Sequence, residues 1–196
     1  MKYTEGKLAV GMERKDRWNQ KYTDQLQRES ELTPTPRLEK QSDYLRGGTA
    51  LDLACGLGKN SLFLARQNYE VQAIDISEVA IDFLKEQASK ENLPITAAVA
   101  DITNLDELHS LQPVDLIVIT KYLDRALFPI VKTLIKKGGY FFMETFYQSD
   151  EEKNEKIPSQ FKLETQELLN EFAGWKILFY EEDERSGIQT IFCQKR

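Results

Sequence analysis

Two cysteines and one histidine in 196 residues are too few for a disulfide framework or a Cys/His metal cluster. Basic residues are also short: 26 lysines and arginines stand against 32 aspartates and glutamates, a net charge of −6. Such a chain carries no basic field for the phosphates of nucleic acids. No apolar run approaches the roughly 20 residues of a membrane helix, and no secretory leader opens the sequence, so the expected location is the cytoplasm. Internal repeats, low-complexity tracts and a domain linker are missing as well. One domain with a full core is the simplest reading of this length.

What is present is an alternation of strand and helix patterns, the signature of a parallel sheet. Trp18, Tyr22 and Leu26 form one stripe of a first short helix. "TPTP" at 33–36 breaks it. Thr35 is a candidate N-cap, with Pro36 at N1 of a second helix reaching Arg46. Strand patterns follow at 49–54, 70–75, 95–99, 114–120 and 139–146, separated by helix patterns at 60–67, after the capping Ser77, and across Leu127–Leu134. Lys136-Lys137-Gly138 reads as the stop of the last of these helices. A polar stretch at 148–160 reads as a loop, and a helix is expected at 164–173. Two final strands, 175–183 and 187–194, are separated by only "ERS", which reads as an antiparallel hairpin. The expected architecture is α/β: a three-layer, Rossmann-like, seven-stranded sheet, mostly parallel, closed by an antiparallel C-terminal hairpin.

In such sheets ligands lie beyond the carboxyl ends of the strands, where strand order reverses. The loop "LDLACGLGKN" (51–60) leaves the first strand there, and its Gly56 and Gly58 allow backbone to approach a ligand. A two-glycine turn alone is a weak signal. Three acids strengthen it. Asp75 closes the second strand, nineteen residues after Gly56, where a carboxylate can accept both hydroxyls of a ribose. Asp101 closes the third strand and can accept from an adenine amino group. Asp52 lies inside an apolar strand, where burial is costly without partners. A dinucleotide fingerprint wants a third glycine where Ser61 stands, and no Gly-Lys-Ser/Thr closes a phosphate loop. The loop suits a nucleoside without a pyrophosphate.

"LDLACGLGKNSLFLA", "VQAIDIS" and "AVADI" together resemble motifs I, II and III of class I S-adenosylmethionine-dependent methyltransferases. "DRWNQKY" and "TKYLDRALFPIVKTLIKKGGYFFMETF" are similar to small bacterial members related to tellurite-resistance and thiopurine enzymes. The resemblance implies S-adenosylmethionine as cofactor, with Gly56 and Gly58 under its methionine and ribose and Asp52 supporting the loop. Asp75 then holds the ribose hydroxyls and Ile76 lies against adenine. Asp101 meets the adenine amino group, with the Ile102 amide at the ring. Thr120 lies near the sulfonium, Lys121 and Tyr122 face the acceptor, and Trp18 and Tyr22 sit on a lid within residues 1–46, over a core of 47–196. Ala54 stands in the loop where many relatives carry glycine.

Methyl transfer from a sulfonium draws much of its rate from placement and exclusion of water. A base is needed only when the acceptor attacks in protonated form. No Cys–His or Ser–His–Asp arrangement and no base near the methyl position is visible. Cys55 reads as a small buried residue and His109 as bland. The Asn/Asp-Pro-Pro-Tyr stretch of amino-group methylases is absent at Thr120-Lys121-Tyr122-Leu123. The expected acceptor is therefore a small molecule already nucleophilic at neutral pH, such as a thiol or a reduced chalcogen oxyanion, and not nucleic acid. A nucleotide-dependent oxidoreductase and a non-catalytic S-adenosylmethionine-binding module are the alternatives; oligomeric state is not legible.

Overall fold

The structure, a computed structural model, describes residues 14–28, 32–149 and 156–196. Seven strands form one sheet: β1 (Gly48–Leu53), β2 (Tyr69–Asp75), β3 (Ile95–Val99), β4 (Val114–Thr120), β5 (Ile135–Phe146), β6 (Lys176–Asp183) and β7 (Ile188–Gln194). Their order is β3-β2-β1-β4-β5-β7-β6. Both β2 and β4 pair with β1 in parallel, so strand order reverses at β1. Only β7 runs against its neighbours β5 and β6. The expected mostly parallel sheet with a reversed hairpin strand is the one that forms.

Strand β4 explains the layering. Its apolar run is buried on both faces, as parallel strands are when helices cover both sides. Leu116 and Val118 join one core with Phe142 and Phe192, whereas Ile117 and Ile119 join another with Phe141 and Met143. Helices α2 (Pro36–Glu39), α3 (Lys59–Arg66) and α4 (Glu78–Lys90) contribute Leu38, Leu62 and Leu84 to the first. The second takes Leu108, Val131 and Leu168 from α5 (Leu105–His109), α6 (Leu127–Leu134) and α7 (Glu167–Glu171). Ser77 caps α4 as its sequence predicts, its hydroxyl accepting from the Ala80 amide at 3.2 Å. Helix α1 (Arg14–Leu26) buries no residue.

Three expectations are corrected. The second helix does not reach Arg46; after Glu39 it gives way to a 3₁₀ turn at Ser42–Tyr44, because Ser42 and Asp43 favour turns over helix interiors. Its start is as expected, with Thr35 at the N-cap position and Pro36 after it, although the Thr35 side chain makes no cap bond. The stretch Lys136-Lys137-Gly138 is not a helix stop but an irregularity within β5, where pairing with β4 shifts between Val114 and Leu116. Helix 164–173 shrinks to Glu167–Glu171, since Leu163 bridges to Tyr147 and Gln166 is left-handed at φ 59°. Residues 1–13 of the expected lid and 150–155 of the expected loop lie outside the described residues.

Candidate active site

A cavity of about 440 Å³ opens over the carboxyl ends of β1 to β5, at the reversal of strand order. Most of the predicted site residues line it: Trp18, Tyr22, Ala54, Gly56, Asp75, Ile76, Asp101, Ile102, Thr120, Lys121 and Tyr122. Asp52 and Gly58 do not.

The floor is the loop after β1. Gly56 has φ +54°, and a Cβ there would stand 2.8 Å from the Tyr22 hydroxyl, so glycine leaves room for Tyr22 against the backbone. Gly58 is a correction to the sequence reading. At φ +75° its missing Cβ makes room for Leu84, whose Cδ2 would lie 2.7 Å away. It lets α3 pack against α4 and does not touch the cavity. Beneath the loop, Ser61 donates to Asp52 Oδ2 at 2.6 Å, while Asp52 Oδ1 is buried without a partner. Ser61 therefore occupies the third-glycine position of a dinucleotide loop with a hydroxyl that anchors the turn. Burial pushes the Asp52 carboxyl up to about 7, with the Ser61 hydrogen bond opposing and Asp75 adding to the rise.

Ala54 holds φ 55°, a left-handed conformation that costs an L-residue about 1–2 kcal/mol. Its replacement, Ala54→Gly, is expected to stabilise the fold by about 1 kcal/mol, net of glycine's larger unfolded-state entropy. At this chain length that raises Tm by about 2–4 °C, which thermal unfolding followed by circular dichroism will measure; an unchanged or lower Tm would show that Ala54 is not strained.

One end of the cavity is acidic and spoken for. Asp75 accepts the Gly56 amide at 2.8 Å on one oxygen and the Ser77 amide at 2.9 Å on the other. Burial raises its pKa, against the pull of those amides and of Lys21. Asp101 takes the amide and hydroxyl of Thr103 on Oδ1 and pairs with Arg14 through Oδ2. Both carboxylates retain lone pairs for a ligand, and each already has partners within the protein. Arg14 belongs to α1, which is fastened by polar contacts: Arg14 to Asp101, Lys15 to Glu78, and Asn19, whose Oδ1 accepts from the Ser77 hydroxyl at 2.7 Å. On this helix Trp18 stacks on Tyr22 with centroids 5.7 Å apart, and the Lys21 ammonium lies 4.0 Å from the Trp18 ring.

The other end holds what sequence reasoning missed. Asn60 Nδ2 donates to the Thr120 hydroxyl at 3.2 Å, and Asn60 Oδ1 accepts the Thr35 amide at 2.9 Å. The "TPTP" segment, read as a helix break, is thereby pinned as a wall of the cavity. Glu144 on β5 also lines it, 6% exposed, in register with Thr120. Lys121 is left-handed at φ 54°, its amide donating to the Glu144 carbonyl at 2.8 Å. Two non-glycine residues in this region, Ala54 and Lys121, flank the cavity, as strained backbone does at functional sites. Burial and Asp124 raise the Tyr122 phenol to about 12, so it donates hydrogen bonds at neutral pH and is no base. Cys55 is half-buried and lines the cavity, and burial, with Asp52 and Asp75 beside it, raises its thiol pKa and disfavours the thiolate. His109 lies on α5, outside the cavity. Among the described residues no His/Cys/Asp/Glu cluster could hold a metal ion, and no helix is long and apolar enough to cross a membrane.

Comparison with known proteins bears on the family and the fold. Residues 14–190 match the family model of the tellurite resistance protein TehB. A probable S-adenosyl-L-methionine-dependent methyltransferase TehB of Haemophilus influenzae is 31% identical over 137 residues, which are 68% of this chain and 48% of that protein. The chain thus spans about half the length of the curated relatives it matches. The crystal structure of TehB from the same organism superposes with a TM-score of 0.73 at 25% identity, covering 93% of this chain and 67% of that one. Magnesium protoporphyrin IX methyltransferase of Synechocystis, solved with bound SAH, gives 0.69 at 14% identity over 93% of this chain and 98% of its own, a likeness of fold. With the family model covering nearly all of the described residues, the chain belongs to the TehB family and has the class I S-adenosylmethionine-dependent methyltransferase fold.

Proposed function

We propose that this chain transfers a methyl group from S-adenosylmethionine to a small-molecule acceptor in the cytoplasm, the acceptor being a thiol or a reduced chalcogen oxyanion. One observation carries the reading: a nucleoside-sized cavity over the strand ends, with backbone bared at Gly56 beside the buried Asp75. Its volume is within the range of small-ligand sites, about 300–1,000 Å³. The residues fit the cofactor. Asp75 has lone pairs left for ribose hydroxyls, Ile76 and Ile102 offer apolar faces to adenine, and Asp101 accepts from its amino group. Residues 54–56 carry the methionine portion, with Asp52 beneath them and Thr120 at the reacting end. Gly58 serves by shaping the loop.

When bound, the cofactor supplies an electrophilic methyl on a sulfonium. The protein's part is placement and dryness, which together account for much of the rate in such displacements. Trp18 and Tyr22 form a removable lid within residues 1–46, because α1 is held by polar pairs and buries no residue of its own. Residues 47–196 form most of the core beneath, to which α2 adds Leu38. Lys121 and Tyr122 orient the acceptor, one as a cation and the other as a hydrogen-bond donor.

Calorimetry with S-adenosylmethionine and NAD, followed by assay of S-adenosylhomocysteine release, tests this. The expected result is binding of the first ligand alone. Labelled methyl is expected in small thiols or reduced selenite, and none in tRNA or DNA. Label in nucleic acid alone overturns the acceptor class. Binding of NAD in place of S-adenosylmethionine revives the oxidoreductase reading, and binding without any turnover leaves a non-catalytic module.

A further inference from the structure

The cavity has one carboxylate that cofactor binding does not use. Counted along the sheet, the strand ends run Asp101, Asp75, the Ala54–Gly56 loop, Thr120 and Glu144. A cofactor whose adenosine lies over β3 and β2 directs its methyl towards β4 and β5. Glu144 stands there, beside Thr120 in the sheet register and on the same face.

Its surroundings hold it in place and leave one oxygen open. Both side-chain partners meet Oε2: Arg37 Nη1 at 3.4 Å and the Thr190 hydroxyl at 3.3 Å. Arg37 does not neutralise Glu144 by itself, because it also pairs with Glu181 and, at 2.8 Å, with Asp183. One guanidinium is shared by three carboxylates, so the cluster keeps excess negative charge. The other charged groups nearby are Lys121, joined to Glu144 through the backbone, and Lys59 on the cavity wall. With those cations counted the charges about balance, and what Glu144 adds at this position is an open carboxylate oxygen that can accept a proton from an acceptor bringing one.

Resting on the methyltransferase reading, we infer that Glu144 is the acceptor-side base and that the acceptor is a neutral thiol. Glu144 Oε1 takes the thiol proton as the sulfur lone pair forms the bond to the methyl carbon. The carbon–sulfonium bond breaks with its electron pair left on the cofactor sulfur. Products are a methyl thioether, neutral S-adenosylhomocysteine and a protonated Glu144, which returns its proton to solvent. This refines the acceptor class and supplies the base that the sequence did not reveal.

The test compares wild type with Glu144→Gln on 2-mercaptoethanol, protonated at neutral pH, and on 4-nitrothiophenol, ionised there. General-base catalysis is worth about 10²–10⁴-fold. The variant is expected to lose at least about a hundredfold in kcat/KM with the first thiol and little with the second. A readout without turnover accompanies it: the thiolate absorbance of 4-methylthiophenol added to the S-adenosylhomocysteine complex. A facing carboxylate disfavours thiolate, so the band is expected to emerge at higher pH in wild type than in Glu144→Gln. Glu144→Asp, which keeps the charge, restores part of the activity, and calorimetry with S-adenosylhomocysteine verifies that each variant is folded. Equal losses on both thiols, no loss, or an unshifted thiolate band overturn the role of Glu144. A wild type that binds cofactor but methylates no thiol overturns the acceptor reading itself, and this inference with it.

Discussion

Asp75→Ala is expected to lower affinity for S-adenosylmethionine by about a hundredfold or more. Each charge-assisted hydrogen bond is worth about 1.5–3 kcal/mol, and two ribose hydroxyls meet this carboxylate in the proposed pose. The same substitution strips acceptors from the Gly56 and Ser77 amides, and an orphaned buried amide costs about 1–3 kcal/mol. The variant is therefore expected to melt earlier as well, by several degrees. Asp75→Asn separates the two effects, since it keeps one acceptor oxygen and loses the charge. Titration calorimetry provides the check: affinity equal to wild type in both variants would remove Asp75 from the cofactor site.

Gly58→Ala is expected to damage stability most, and Gly56→Ala the site. At Gly58 the new methyl enters the space of the fully buried Leu84 with a left-handed backbone. Strain of about 1–2 kcal/mol adds to overpacking of about 1–3 kcal/mol. The total is about 2–5 kcal/mol, or a drop of roughly 4–20 °C in Tm at this chain length. At Gly56 the methyl meets the Tyr22 hydroxyl, the far end of a side chain on a helix that buries nothing. That helix can give way, so the Tm change stays near the backbone strain alone while cofactor affinity falls. Equal Tm losses in the two variants would contradict the division of labour between these glycines.

The same pair marks the limit of what a sequence discloses. Both glycines announce a tight approach by something, but not by what. For Gly56 it is a tyrosine thirty-four residues upstream, and for Gly58 a leucine on the next helix. Contacts at such distance follow from how layers pack, which local pattern does not specify. The sheet was legible because β4 and its neighbours alternate with helices in a way that leaves few topologies open. Its C-terminal hairpin was legible from a three-residue connection. Asp75 and Asp101 were found by the rule that acids at parallel strand ends face ligands. Glu144 satisfies that rule equally, and was passed over because β5 continues as strand to Phe146, hiding the residue inside an element. "TPTP" was read as punctuation; that Asn60 draws it across the cavity is a tertiary fact. The short 3₁₀ turn and the shortened α7 were missed for a simpler reason. Marginal helices are decided by packing and by competing turn bonds.

Arg37 on α2 and Thr190 on β7 both reach Glu144, across 107 and 46 residues of chain. The two halves of the cavity therefore depend on different stretches of polypeptide. Everything proposed to hold adenosine is present once the chain has passed Ile102. The wall around Glu144 waits for β7 to insert between β5 and β6, a long-range pairing with β5. Such pairings form slowly because loop-closure entropy is spent before their contacts form. In order of synthesis, the residues proposed to hold the methyl donor are therefore complete before the wall proposed to face the acceptor.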